Sequence, residues 1–238
     1  MKQYPIWLEP GDNSYNFPHP DNALTDPNGL LAIGGDLSPE RIVMAYLNGI
    51  FPWYSAGQPI LWWSPNPRAV LFPEKLHISK SLKKIIRKKT FTTTINQAFE
   101  QVIYACAQTP RKEQDGTWIT HDMQQAYLYL HKLGIAHSAE CWKNGQLLGG
   151  LYGIALGKVF FGESMFSRQS NASKVAFVHL LDELKKSNYA LIDCQVTTDH
   201  LLSLGAEEIP RSQFLKLIEQ HTRSFIDNKN QKNTLFQP

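Results

Sequence analysis

Residues 137–167 read HSAECWKNGQLLGGLYGIALGKVFFGESMFS, and this stretch decides the fold class. Asn144-Gly145 separates two apolar runs, 137–142 and 146–156. Asn-Gly is the strongest short hairpin signal, because both residues tolerate the positive φ angles of a tight primed turn. A third run, 159–166, follows across a turn at Gly157. Beyond it Phe177, Leu180, Leu181 and Leu184 recur at helical spacing, and 191–196 reads as a short apolar strand. Upstream, Thr120 caps a helix with Met123, Ala126, Tyr127 and Leu130 on one face and Gly134 as its stop. Thr94 with Gln97 has capping-box spacing and predicts a further helix that buries Ile95, Phe99, Val102 and Cys106.

An antiparallel hairpin group followed by strand, helix and strand is the order of the acyl-CoA N-acyltransferase (GNAT-like) fold. The expected class is therefore α/β (α+β), with the fourth and fifth strands splayed and the acyl donor at the gap. Residues 1–66 differ in character. They are rich in proline, glycine and aromatic residues, with one helix capped by Ser38, opened by Pro39 and ended at Gly49. Its apolar face is Ile42, Val43, Ala45 and Tyr46. The sequence predicts a small N-terminal domain over 1–66, a GNAT-like domain over 67–226 and a loosely ordered polar tail over 227–238.

Composition narrows the chemistry. Hydrophobic residues at 42% and charged residues at 19% describe a globular chain with a full core. A net charge of +3 is too small to mark a nucleic-acid binder, so any basic site must come from local clustering. No run approaches a membrane span, and no leader pattern opens the chain. The three cysteines, Cys106, Cys141 and Cys194, are far apart and suit reduced thiols in a cytoplasm. The histidines lack metal-site spacing. A cytoplasmic, metal-free monomer is the expectation.

Three stretches break the apolar pattern. Glu163 interrupts a strand directly after Gly162, and reads equally as an edge position or as a site. In Asp193-Cys194-Gln195, alternation puts Asp193 and Gln195 on one face and Cys194 on the other. The pair could orient an attacking amine, or it could be a structural hydrogen-bond pair at a strand end. Cys194 reads as a core thiol. The run Lys75, Lys80, Lys83, Lys84, Arg87, Lys88, Lys89 is either a solvated face or a docking face for a phosphate backbone. Of the six tryptophans, three lie in 53–63, as a small aromatic core or as a wall for a flat ligand.

Several blocks in one order carry a resemblance from about residue 17 to about 222. They read PNGLLAIGGDL (27–37), GIFPWY (49–54), WWSPNPR (62–68), GTWIT (116–120), GESMFSR (162–168), LIDCQV (191–196), LGA (204–206) and IPR (209–211). The chain resembles the leucyl/phenylalanyl-tRNA–protein transferase family. That resemblance implies transfer of Leu or Phe, and less well Met, from aminoacyl-tRNA to proteins with N-terminal Lys or Arg. Such transfer marks those proteins for N-end rule degradation. It implies no cofactor, neither metal nor coenzyme A.

By the same resemblance Asp193 and Gln195 handle the amine and the tetrahedral centre. Glu163 contacts the terminal adenosine or the acceptor, and Trp53 and Trp118 pack on the adenine. Phe160, Met165 and Ile192 line the pocket for the donor side chain, beside Gly162. Lys80, Lys83, Lys84 and Arg87 become the tRNA contacts. The rivals are a coenzyme A-dependent N-acetyltransferase and a non-catalytic tRNA-binding module. The first needs a glycine-bearing loop where this chain has RQSNAS (168–173). The second has no use for Asp193 beside Gln195.

Overall fold

A computed structural model describes residues 4–109 and 117–227. The expected tail beyond Asp227 lies outside the described residues, as does Gly116. In chain order the elements are β1 (Ile6–Leu8), β2 (Leu30–Gly34), α1 (Pro39–Leu47), β3 (Phe51–Pro52) and β4 (Leu61–Trp63). They continue with β5 (Arg68–Leu71), α2 (Lys80–Arg87), β6 (Thr92–Ile95), α3 (Phe99–Gln108), α4 (His121–Lys132), β7 (Ala136–Lys143), β8 (Gln146–Leu156) and β9 (Val159–Ser167). The last are α5 (Ala172–Lys186), β10 (Leu191–Gln195), α6 (Asp199–Ser203), β11 (Glu207–Ile209) and α7 (Arg211–Asp227).

The strands form two sheets. A small one runs β1-β2-β4-β3 and a larger one β11-β5-β10-β9-β8-β7-β6. The small sheet closes on the fully buried Trp62, whose Nε1–H donates to the Gly34 carbonyl at 2.9 Å while Phe17 packs edge-on. For this ring the aromatic-core reading holds. The Asn144-Gly145 hairpin also forms as read, with φ of 51° and 75° in the turn.

Both faces of the large sheet are covered. One face packs α1, α3, α4 and α7 around Tyr46, Val102, Tyr127 and Phe214. The other packs α2 and α5 around Leu82, Ala176, Leu180 and Ile192. This is the mixed α/β architecture expected. The capping-box reading of Thr94 is not what forms. Residues 92–95 are the edge strand β6, and α3 opens only at Phe99. The Thr94 hydroxyl donates instead to the buried Glu140 carboxylate, which also accepts from the Ala98 N–H at the start of α3. A capping partner supplied across the sheet replaced the local one.

The parallel pairing of β9 and β10 matters most for function. It runs from Leu191 opposite Val159 to Asp193 opposite Phe161 and goes no further. Beyond that point β9 continues against β8, while the chain after β10 turns away into α6. The opening between the two strands is the cleft described next.

Candidate active site

Two bulges shape the walls of the cleft. Across β8, Gly162 opposes Gly153 and Ser164 opposes Tyr152, which leaves Glu163 as an extra residue between them. Across β5, Asp193 opposes Val70 and Gln195 opposes Ala69, which leaves Cys194 extra. A bulge breaks the pleat and re-aims the side chains around it. Gln195 also takes a φ of +63°, a left-handed conformation that costs a non-glycine residue on the order of 1 kcal/mol or more. Together these turn Gln195 toward Glu163: its Nε2 donates to Glu163 Oε1 at 3.0 Å.

Glu163 is the hub. Tyr46, from α1, donates to Oε1 at 2.5 Å, and Tyr127, from α4, donates to Oε2 at 3.0 Å. The two hydroxyl oxygens lie 2.7 Å apart. Burial pushes the Glu163 carboxyl up to about 7; the hydrogen bonds from Tyr46, Tyr127 and Gln195 work against that rise, and the charge of Asp193 adds to it. Both tyrosines are held far above their ordinary range, first by burial and then by Glu163, so they stay protonated and donate.

Asp193 is fully buried, and both its oxygens are engaged. Arg68 Nε donates to one at 2.8 Å and Nη2 to the other at 2.7 Å. The Gln195 backbone N–H donates to the first oxygen at 2.9 Å. Cys194 packs with the α5 face of the sheet and also borders the cleft, and burial pushes its thiol up, which disfavours the thiolate.

The cleft has a volume of about 330 Å³. Its wall brings together every residue assigned to catalysis or substrate binding: Trp53, Trp118, Phe160, Gly162, Glu163, Met165, Ile192, Asp193 and Gln195. Trp53 and Trp118 stand with Phe51 on the face that holds Tyr46, while Phe160 and Ile192 stand with Phe177 on the α5 face. Lys80, Lys83, Lys84 and Arg87 do not line it. They lie on α2, exposed to solvent, over the buried Leu82.

Tyr46, Tyr127 and Arg68 were missed as site residues. The tyrosines read as ordinary members of helix faces, and Arg68 read only as part of a motif. The signal that could have found Arg68 is Asp193 itself, since a carboxylate in an apolar strand needs a buried partner.

Among the described residues no cluster of three or more His, Cys, Asp or Glu is placed to hold a metal. None of the described helices is long and apolar enough to cross a membrane. The start of α5 packs closely against β8. A side chain at Gly149 of β8 would meet the Ala172 and Ser173 backbone at 2.6 to 2.7 Å. The Ala172 N–H is already given to Gln169 and the Ser173 N–H to Ser167.

Comparison with known proteins adds the following. The solved structure of L-PGS from Bacillus licheniformis is 13% identical, with a TM-score of 0.39 and coverage of 71% of this chain and 54% of its own. A GCN5-related N-acetyltransferase from Kribbella flavida is 10% identical, with a TM-score of 0.38 and coverage of 73% and 61%. In sequence, the leucyl/phenylalanyl-tRNA–protein transferase of Saccharophagus degradans is 56% identical over 219 residues, which covers 92% of this chain and 89% of the relative. That of Pseudomonas fluorescens is 56% identical over 215 residues, covering 90% and 94%. The family model described as leucyl/phenylalanyl-tRNA protein transferase matches residues 70–219, and that of the family's N-terminal domain matches 35–66. The chain belongs to the leucyl/phenylalanyl-tRNA–protein transferase family.

Proposed function

We propose that this aminoacyltransferase moves Leu or Phe from the 3′ end of a charged tRNA to the α-amine of proteins beginning with Lys or Arg. The observation that carries the reading is the meeting of Glu163, Gln195 and the Arg68-held Asp193 where β9 and β10 part, with aromatic rings on one side and an apolar pocket on the other.

The donor ester is already activated, so the enzyme has to position two substrates and manage one proton. The adenine stacks on Trp53 and Trp118, as unpaired bases do on aromatic faces. The donor side chain enters between Phe160, Met165 and Ile192. An apolar pocket separates similar side chains by only about 1–3 kcal/mol per methylene, so some acceptance of Met follows. The acceptor ammonium gives up one proton to solvent, Gln195 orients the resulting amine, and Glu163 takes a second proton from the nitrogen as it attacks. The amine forms the C–N bond, the tetrahedral centre collapses, and the ribose 3′ oxygen leaves with the proton Glu163 returns. A carboxyl poised near 7 suits transfer in both directions. Asp193 acts as a positioning residue, because its oxygens are occupied by Arg68 and by the Gln195 N–H. It holds the bend that presents Gln195.

Glu163 lines the cleft and draws a positively charged acceptor, whereas the charge of Asp193 is already balanced by Arg68. The exposed α2 lysines and Arg87 meet the tRNA phosphates. The test mixes the protein with labelled Phe-tRNA and a peptide starting with Arg, with acetyl-CoA as the control donor. Transfer from Phe-tRNA alone is expected, unaffected by a chelator and poor with a Glu-starting peptide. Acetyl transfer at a comparable rate overturns the reading in favour of a coenzyme A-dependent enzyme.

A further inference from the structure

Glu163 and its two tyrosine partners hold fewer protons than hydrogen-bond contacts. Three oxygen–oxygen contacts close a triangle: Tyr46 to Glu163 Oε1, Tyr127 to Glu163 Oε2, and Tyr46 to Tyr127. A hydroxyl carries one proton, so the two tyrosines can fill only two of the three contacts. While Glu163 is ionised, both hydroxyls donate to it and the contact between them holds no proton. When Glu163 is protonated, the third proton is present and all three contacts can be filled head to tail. The carboxyl donates to one tyrosine, that tyrosine to the other, and the second tyrosine back to the free carboxylate oxygen.

We propose that Tyr46 and Tyr127 are positioning residues that, with Glu163, form a closed three-proton ring which stores the acceptor amine's proton between attack and departure of the ribose oxygen. This rests on the reading of Glu163 as the proton carrier. The ring closes in either direction, with the carboxyl proton on Oε1 or Oε2. It can therefore receive the proton at whichever oxygen faces the acceptor and remain fully bonded. The protons balance: the ammonium sheds one to solvent before attack, and the nitrogen gives a second to Glu163 as the C–N bond forms. The ring reorders without net change, and that proton leaves on the 3′ oxygen as the C–O bond breaks, so the amide nitrogen keeps one. No other reactant is needed.

The surroundings fit such a store. The groups facing Glu163 are Tyr46 of α1, Tyr127 of α4, Gln195 of β10, whose Nε2 donates to Oε1, and Asp193 of β10, whose charge is balanced by Arg68 of β5; Tyr152 of β8 packs edge-on to Tyr127 at 5.5 Å. The tyrosines are fully buried, so water does not compete for their hydroxyls. The arrangement also joins three elements that are remote in sequence, since Tyr46 and Glu163 are 117 residues apart. In water such a triangle would exchange its members with solvent; in a low-dielectric interior its bonds are stronger and reinforce one another.

The test uses Tyr46→Phe and Tyr127→Phe, which delete one oxygen each and keep the ring packing. Single-turnover transfer from Phe-tRNA is followed across pH and in mixtures of light and heavy water, with thermal unfolding alongside. Wild type is expected to show a curved dependence on deuterium fraction, the signature of several protons moving together. Each variant is expected to give a straight dependence. Each should also move the acidic limb of the rate profile upward by about one pH unit, because the ionised carboxylate loses a charge-assisted donor. Variants that fold and keep both the wild-type limb and the curvature overturn the ring. Glu163→Gln separates this from the parent reading: an unchanged rate for that variant removes Glu163 from the reaction altogether. A slow Glu163→Gln beside unaltered tyrosine variants removes only the ring.

Discussion

Arg68 and Asp193 meet as a two-pronged ion pair with no exposure of either side chain, and the guanidinium lies between the rings of Phe51 and Phe214, 4.6 Å from each centroid. The pair joins β5 to β10 beneath the bend that carries Gln195. Removing one partner strands the other charge in the interior.

Asp193→Asn should therefore cost about 3–5 kcal/mol of stability, as breaking a buried pair does. Replacing both members, as Arg68→Met with Asp193→Leu, should recover much of that loss but not the transfer rate, since the bend at Gln195 stays unsupported. Thermal unfolding and single-turnover transfer on the two proteins check this. A double variant that transfers at the wild-type rate would separate the pair from function.

Glu163 gives a pH dependence of stability with a definite sign. Its folded pKa, about 7, lies above the ordinary 4.5. Its contribution is then fully present below about 4.5 and is lost as pH rises through about 7. Glu163→Gln stays neutral throughout. The variant should gain in melting temperature relative to wild type on going from about pH 5 to about pH 8. A difference that is flat across that window contradicts the raised pKa.

The basic helix makes a third case. Lys83, Lys84 and Arg87 are exposed on α2, and none lines the cleft. Changing all three to alanine should raise the concentration of charged tRNA needed for transfer. It should also make the logarithmic salt dependence of that concentration shallower, by about one in slope for every phosphate no longer neutralised. An unchanged slope returns the run to a solvated surface.

Much of this was legible beforehand, for local reasons. The 144–145 turn, the three long strands and the helices at Thr120 and Phe177 follow from residue periodicity and turn chemistry. The opposed faces of Asp193 and Cys194 follow from alternation in β10. What was not legible depends on partners remote in sequence. Thr94 became an edge-strand residue because Glu140 of a neighbouring strand took its hydroxyl. Tyr46 and Tyr127 reach Glu163 only after α1 and α4 pack on one face of the sheet. The two bulges that aim Glu163 and Gln195 arise from register against β8 and β5, which local periodicity does not encode. The strand pattern alone does not show how costly Asp193 is to replace. That cost comes from the buried Arg68, a partner 125 residues away.

The central claim is that transfer is carried out by Gln195 and Glu163, and not by the Cys194 thiol. The most direct measurement is single-turnover transfer at saturating Phe-tRNA for Gln195→Ala and Cys194→Ala, with donor binding and thermal unfolding recorded for each. Gln195→Ala should fold, bind the donor and lose on the order of a hundredfold or more in rate, as loss of one orienting or charge-stabilising group does. Cys194→Ala should lose some stability through the small cavity left and keep its rate. A folded Cys194→Ala that is inactive, beside a Gln195→Ala that transfers normally, would contradict the account.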